Sequence, residues 1–304
     1  MKKFGFITIG NQAYFHTIYY SIENINSLYP DVSIYIYDCG FTPAQRQKFR
    51  EQKNVTLVPW EDRFFDISMH FRSLREKLSL VYNIRRLKDF LPYIKNLLRI
   101  VNDQSYALFL KREMRFANKP LCILDCIKRY EENVVFLDGD AVVAQKFDEL
   151  LRDSFDVGVT LREQGEISIN KNSCSVLNSG VLFFLGGRER NTSFLGYWID
   201  FMKKTHERYI EQSALTRLLE NVGKDVFTNY NEVLVRLSQG EIRVKILPCR
   251  VYNHYRARRY GVTKENKIVH FKSLNYRKEV FYDFLRELGM SIPEAVNAVR
   301  KEDL

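Results

Sequence analysis

The sequence predicts an α/β protein: a Rossmann-like, mostly parallel central sheet flanked by helices and interrupted by a helical insertion. Two patterns carry that expectation. Strand-like apolar runs alternate with helical periodicity through residues 4–58, the β-α-β-α-β order of a parallel, doubly wound sheet. Further on, Val134-Val135-Phe136-Leu137 runs straight into Asp138-Gly139-Asp140. A short unbroken apolar run suits a strand buried on both faces of a parallel sheet. Such sheets gather ligands at the carboxyl ends of their strands. The 304 residues are 45% hydrophobic and 28% charged, which supplies a core and excludes disorder.

The elements follow in order. Phe4–Ile9 reads as the first strand. Tyr14, Phe15, Ile18, Ile22, Ile25 and Leu28 then recur at helical spacing, up to Pro30, where a helix cannot continue. Ser33–Tyr37 is a second strand closing on Asp38-Cys39-Gly40, and Thr42-Pro43 opens a helix with a cap and a proline in its first turn. Asn54–Val58 is the third strand. Residues 61–118 read as helical and net basic; the face of Leu91, Ile94, Leu97, Leu98 and Val101 suits either a layer on the sheet or contact with an anionic membrane. Lys119-Pro120 reads as a new helix start leading to the acidic strand. Asp156–Thr160, Leu177–Phe184, Val244–Leu247 and Lys267–Phe271 read as strands, Phe194–Lys204 and Gln212–Glu220 as helices, and Pro293–Leu304 as a polar helix or tail. Without a dividing linker, residues 1–304 are expected to form one catalytic domain with a basic, helical C-terminal segment from about 250 onward.

Composition narrows the function. No apolar run is long enough to cross a bilayer, and Phe4–Ile9 is too short for a signal peptide. The expectation is a cytoplasmic protein that rests, if anywhere, on the inner face of the membrane. The five cysteines (Cys39, Cys122, Cys126, Cys174, Cys249) lack zinc-ribbon spacing and read as reduced thiols. A net charge of +10 favours anionic partners, among them sugar nucleotides, phosphorylated glycans and anionic lipid, and equally serves solubility. Asp138 and Asp140 at a strand end are costly to desolvate without a cation. Mn²⁺ or Mg²⁺, which take oxygen ligands and bridge to phosphate, would neutralise them. Ordinary Asp-Gly turn chemistry is the plain alternative.

In its order of motifs the chain resembles the GT-A glycosyltransferases, nearest to family 8 and related nucleotide-diphospho-sugar transferases. The resemblance rests on Phe4–Gly10 with its following helix, Asp38-Cys39-Gly40, Lys119-Pro120, Val135–Asp140, Asn178-Ser179-Gly180-Val181, Glu211-Gln212-Ser213-Ala214-Leu215, and Val269-His270-Phe271-Lys272-Ser273. It implies that Asp138, Asp140 and His270 hold the divalent ion. It implies that Thr8, Asn11 and Tyr14 line the base and ribose pocket, with Asp38 near it or equally a turn residue, and that Lys119 and Lys272 serve the donor, Lys272 on its diphosphate. Asn178 and Gln212, with Asp140, would work at the reacting face. The implied reaction moves a sugar from a nucleotide-diphospho-sugar, a UDP-sugar being favoured, to a glycan or glycolipid acceptor such as a lipooligosaccharide or surface polysaccharide. Retention of anomeric configuration is implied; inversion would need a base, for which Glu163 and Glu166 are placed. The chain departs from the pattern at Glu211 (usually aspartate), at Ser273 (usually glycine), and after Lys272, where the basic-Pro-Trp continuation is missing.

Three other readings compete. A haloacid-dehalogenase-type phosphatase also uses a strand ending in Asp-x-Asp, but that motif normally opens its domain. A nucleotidyltransferase would want a glycine-rich phosphate loop, which Gly10-Asn11-Gln12 is not. A non-catalytic membrane- or RNA-binding module would use the basic, aromatic stretch Arg250–Arg259, though no nucleic-acid module accompanies it.

Overall fold

A computed structural model describes residues 2–61, 103–163, 176–205, 207, 209–223, 226–228, 230–238, 240–272 and 278–302. Its strands are β1 (Gly5–Gly10), β2 (Ile34–Asp38), β3 (Val55–Pro59), β4 (Val134–Asp138), β5 (Ala141–Val143), β6 (Val157–Leu161), β7 (Leu177–Phe184), β8 (Glu232–Leu237), β9 (Gly240–Pro248) and β10 (Ile268–His270). The helices are α1 (Phe15–Leu28), α2 (Pro43–Arg50), α3 (Asp103–Arg129), α4 (Asp148–Arg152), α5 (Gly187–Lys204), α6 (Ile210–Glu220), α7 (Cys249–Tyr252), α8 (Ala257–Tyr260), α9 (Lys278–Glu287) and α10 (Glu294–Glu302). One sheet of eight strands runs β3-β2-β1-β4-β7-β6-β9-β8, and β10 pairs with β5 in a separate two-stranded sheet.

The first half follows the sequence expectation. β3, β2, β1 and β4 are parallel. At α2 the Thr42 hydroxyl accepts from the Gln45 N–H, the Gln45 side chain returns to the Thr42 N–H, and Pro43 occupies the first turn. The central sheet is mostly parallel as expected, with a reversal next to β4: β7 lies antiparallel to β4 and again antiparallel to β6. That reversal matters, because it brings the entry of β7 beside the exit of β4, with Leu137 opposite Val181. A register shift between Val159 and Thr160 leaves Ser179–Val181 without partners on β6, a bulge of the kind that re-aims side chains beside sites.

Three other differences have physical causes. Lys119-Pro120 does not start a helix; α3 runs through Pro120. Proline costs the helix a bond to the carbonyl of residue 116, but Ala117, Cys122, Ile123, Cys126 and Ile127 are almost fully buried, and their packing outweighs that loss. The hairpin strand β8 escapes sequence reading because only Val235 of it is buried. α9 escapes too, yet its Phe281, Tyr282 and Leu285 cover α1, where the Tyr282 hydroxyl meets His16 Nδ1 at 3.1 Å.

The core lies on both faces of the sheet. One layer packs Ile123, Trp198, Leu215 and Leu218 of the helices α3, α5 and α6 on Ile7, Phe136 and Leu182. The other packs α1 and α9 on Phe6, Leu137 and Phe183. Cys122 and Cys126 face the core as the helical spacing predicts, and Cys39, Cys122, Cys126 and Cys249 are free thiols. Among the described residues no helix is long and apolar enough to cross a membrane. The proposed membrane face at 91–101, together with Glu166, Cys174 and Ser273, lies outside the described residues.

Candidate metal and donor site

Asp138 closes β4 and Asp140 follows two residues later, at the carboxyl edge of the parallel half of the sheet. The short pairing of β10 with β5 delivers His270, with His270 opposite Ala141. Nε2 of His270 lies 3.0 Å from Asp140 Oδ1 and 3.8 Å from Asp138 Oδ2. One ligand atom from each residue falls within 4.8 Å of the others. Neighbouring ligands of an octahedral ion with bonds of about 2.1 Å stand roughly 3 Å apart. The donor set of two carboxylates and one imidazole suits Mn²⁺ or Mg²⁺ on chemical grounds as well.

Two glycines make the space. A Cβ on Gly180 would stand 2.2 Å from His270 Cε1 and 2.9 Å from Asp138 Oδ2, so only glycine lets the imidazole approach β7. A Cβ on Gly139 would meet the Tyr14 ring at 3.0 Å, which puts Tyr14 directly against the backbone between the two aspartates.

Charge is arranged around this cluster. Burial alone would raise the Asp140 carboxyl, but the facing His270 and, beyond it, Lys272 outweigh burial and hold it below the usual carboxylate range. Lys119 is 5% exposed. Its ammonium donates to Asp138 Oδ1 at 3.0 Å, to the Ser179 carbonyl at 3.0 Å and to Glu211 Oε1 at 3.3 Å. Burial pulls its pKa down, yet Asp138 and Glu211 more than offset that and leave it above the ordinary lysine value. Thus one oxygen of Asp138 answers to lysine while the other faces the imidazole. Lys272, its Nζ 4.6 Å from the centre of the Tyr255 ring, is pushed down to about 8 by burial and by nearby Arg162.

The remaining expected residues divide. Gln212 joins the cluster, its Oε1 accepting from the Ser179 N–H at 3.1 Å. Asn178 is 2% exposed; its Oδ1 accepts from the Gly180 N–H at 3.3 Å while its Nδ2 has no partner. Asn11 caps the turn after β1 through the Ala13 N–H. Thr8 packs beneath α1 among Ile18, Ser21 and Leu137, with its hydroxyl unpartnered. Both oxygens of Asp38 are engaged in its own corner, accepting from the Gly40 and Phe41 N–H groups at 2.8 Å and from Arg46 Nε at 2.5 Å. The Arg250–Arg259 stretch is dispersed: Arg250 pairs with Glu265, Arg258 lies over Phe284, and Tyr252 donates to Glu149. Glu163 accepts from Tyr230 at 3.3 Å.

Sequence reading missed Glu211 as the buried partner of Lys119, Ser179 as its carbonyl and hydroxyl, and Asn253, which touches His270. Glu211 stands beside Gln212 and was visible only as a departure from a motif; Asn253 carries no motif at all.

The strand order, with β7 reversed beside an acidic strand end and β8 reversed at the edge, is that of the GT-A glycosyltransferase fold. No protein-family model and no curated protein matches the sequence. Among solved structures, the bifunctional glycosyltransferase WbbM in its apo form matches over 97% of this chain and 51% of its own, at 14% identity and a TM-score of 0.52. The chain therefore spans about half the length of WbbM, and the likeness is one of fold. The galactosyltransferase LgtC, with donor and acceptor sugar analogues, aligns over 97% of this chain and 99% of its own at 13% identity and a TM-score of 0.48. The glycosyltransferase GlyE of Streptococcus pneumoniae TIGR4 aligns over 100% and 64% at 13% identity and 0.49.

Proposed function

We propose that this chain is a metal-dependent glycosyltransferase that takes a nucleotide-diphospho-sugar donor. The observation that carries the reading is the convergence of Asp138, Asp140 and His270 at the carboxyl edge of a GT-A sheet. Asp138 and Asp140 with His270 would hold Mn²⁺ or Mg²⁺, which supplies neutralising charge to a departing diphosphate. Lys272, when protonated, and Arg162 add positive charge at the same rim. Tyr14, packed on Gly139, bounds the donor side. Asn178 and Gln212 face the reacting centre from β7 and α6. Glu211 is tied to Lys119 and to the Ser179 hydroxyl, so it serves to hold those groups and not as a free base. Retention of configuration, which the resemblance implies, is the favoured outcome; inversion would draw on Glu163 or Glu166. A UDP-sugar as donor, a glycan or glycolipid acceptor and a site of work at the inner membrane face complete the proposal.

A calorimetric and thermal-shift panel of UDP-, GDP- and CMP-sugars, with and without Mn²⁺, tests it. The expected result is stabilisation by one nucleotide class that depends on the metal. Stabilisation by none, or by any of them equally with and without Mn²⁺, defeats the reading. Proton NMR of the product's anomeric centre decides between retention and inversion. A phosphatase would instead release phosphate from an aryl phosphate in Mg²⁺.

A further inference from the structure

We propose that Asn253 is the positioning residue of the metal site: it fixes the tautomer and the ring orientation of His270, so that Nε2 presents its lone pair to the carboxylates. The inference rests on the metal-site reading above and adds a residue to it.

The hydrogen-bond roles close without a free choice. Asn253 is 0% exposed and His270 4%. The Asn253 side-chain nitrogen lies 2.9 Å from the Asn178 carbonyl, which can only accept. It also lies 2.8 Å from Thr160 Oγ1. Thr160 spends its one hydroxyl hydrogen on the same carbonyl at 2.6 Å, so toward Asn253 it too is an acceptor. Two acceptors demand the NH₂ end of the amide. The Oδ1 end is thereby turned to His270, 2.9 Å from Nδ1. Facing an acceptor, Nδ1 carries the hydrogen. In the neutral ring, the form that ligates a metal, Nε2 is then the bare nitrogen, and it is the one beside Asp140 and Asp138; in the protonated ring the same Nε2 donates to Asp140 instead. Imidazole ligates a metal through its unprotonated nitrogen, and the partner of the other nitrogen decides which one that is.

The backbone holds both residues in place. The His254 N–H donates to the Ile268 carbonyl at 2.8 Å and the His270 N–H to the His254 carbonyl at 2.9 Å, so the residue after Asn253 is bonded to both ends of β10. Gly180 leaves the ring its seat: a Cβ there would stand 2.5 Å from Nδ1. Asn253 touches neither carboxylate. Its influence runs through the imidazole alone.

The test is a double-mutant cycle on metal affinity. Mn²⁺ binding is measured by titration calorimetry, with and without UDP, for the wild type, Asn253→Ala, Asn253→Leu, His270→Ala and Asn253→Ala/His270→Ala. Metal-free melting temperatures are recorded alongside. Asn253→Leu fills the volume of the amide and keeps a folded variant available if the cavity left by alanine is not tolerated. The expected result is a tenfold to hundredfold weaker Mn²⁺ affinity, roughly what loss of a ligand's hydrogen-bond partner costs, in both Asn253 variants. No further loss is expected when Asn253→Ala is added to His270→Ala. Affinity within about twofold of wild type in either folded variant overturns the proposal, as does an equal loss in the His270→Ala background. A wild type that binds no Mn²⁺ in either condition overturns the metal-site reading itself, and is told apart by that.

Discussion

Replacing Lys119 by methionine puts the buried charge network to a quantitative test. Methionine keeps an unbranched stem but removes the ammonium, which stands 5.2 Å from the centre of the Phe136 ring. Two carboxylates lose their cation, and they lose it unequally. The Asp138 side chain is 29% exposed, so water replaces much of what it loses; Glu211 is 3% exposed and cannot be rehydrated. Its Oε2 already lacks a partner, and its Oε1 would keep only the Ser179 hydroxyl. Breaking one side of a buried ion pair costs about 3–5 kcal/mol. Nearly all of it should come from Glu211. Adding Glu211→Gln removes the stranded charge, leaving a residual cost of about 1–2 kcal/mol for imperfect hydrogen bonds. Urea denaturation at constant slope reads this directly, as a fall in midpoint of about 1 M or more for Lys119→Met and recovery of most of it in the double variant. A double variant no more stable than the single one would refute the assignment of Glu211 as the stranded charge.

Other outcomes follow from neighbouring geometry. Asp138→Asn and Asp140→Asn should each abolish metal-dependent stabilisation by nucleotide in a thermal-shift assay, while unrelated surface changes leave it intact. Gly180→Ala forces a methyl group into the His270 ring; overpacking of about 1–3 kcal/mol is expected, seen as a lower melting temperature together with weaker Mn²⁺ binding by calorimetry. The Asp38 carboxyl is raised by burial but lowered further by Arg46 and by the Phe41 and Gly40 N–H groups, so it lies below its ordinary value. A depressed carboxyl contributes stability that is complete above the unfolded value of about 3.9 and is lost as pH falls through the folded one. Asp38→Asn should therefore lower the melting temperature at neutral pH and flatten the profile below about pH 4.

Much of the fold was legible because its signals are local. Capping at Thr42-Pro43, the unbroken runs of β4 and β7, and the cysteines of α3 each state their structure within a few residues. The two aspartates were legible for the same reason: a strand end is a place in sequence as well as in space. What escaped was set by long-range packing. Pro120 reads as a boundary, yet a buried face carries the helix through it. β8 lies at an exposed edge where burial imposes little pattern. Asn253 is an ordinary residue until Thr160, Asn178 and His270, from three distant segments, surround it. Asp38 fits the turn reading of its corner: one oxygen accepts from the Gly40 N–H and the other from Arg46 of α2.

The pairing of Asp140 with an imidazole 130 residues downstream has a consequence for biogenesis. During synthesis the aspartates emerge early, and the nascent chain can lay down β1 to β4 while the rest is still on the ribosome. The three-residue strand that delivers His270 is among the last to arrive. Until it zips onto β5, the candidate metal site lacks its imidazole, whatever the state of the sheet. If the site takes its ion as proposed, capture would report that translation has passed residue 270, and a prematurely terminated product would carry both aspartates without the imidazole.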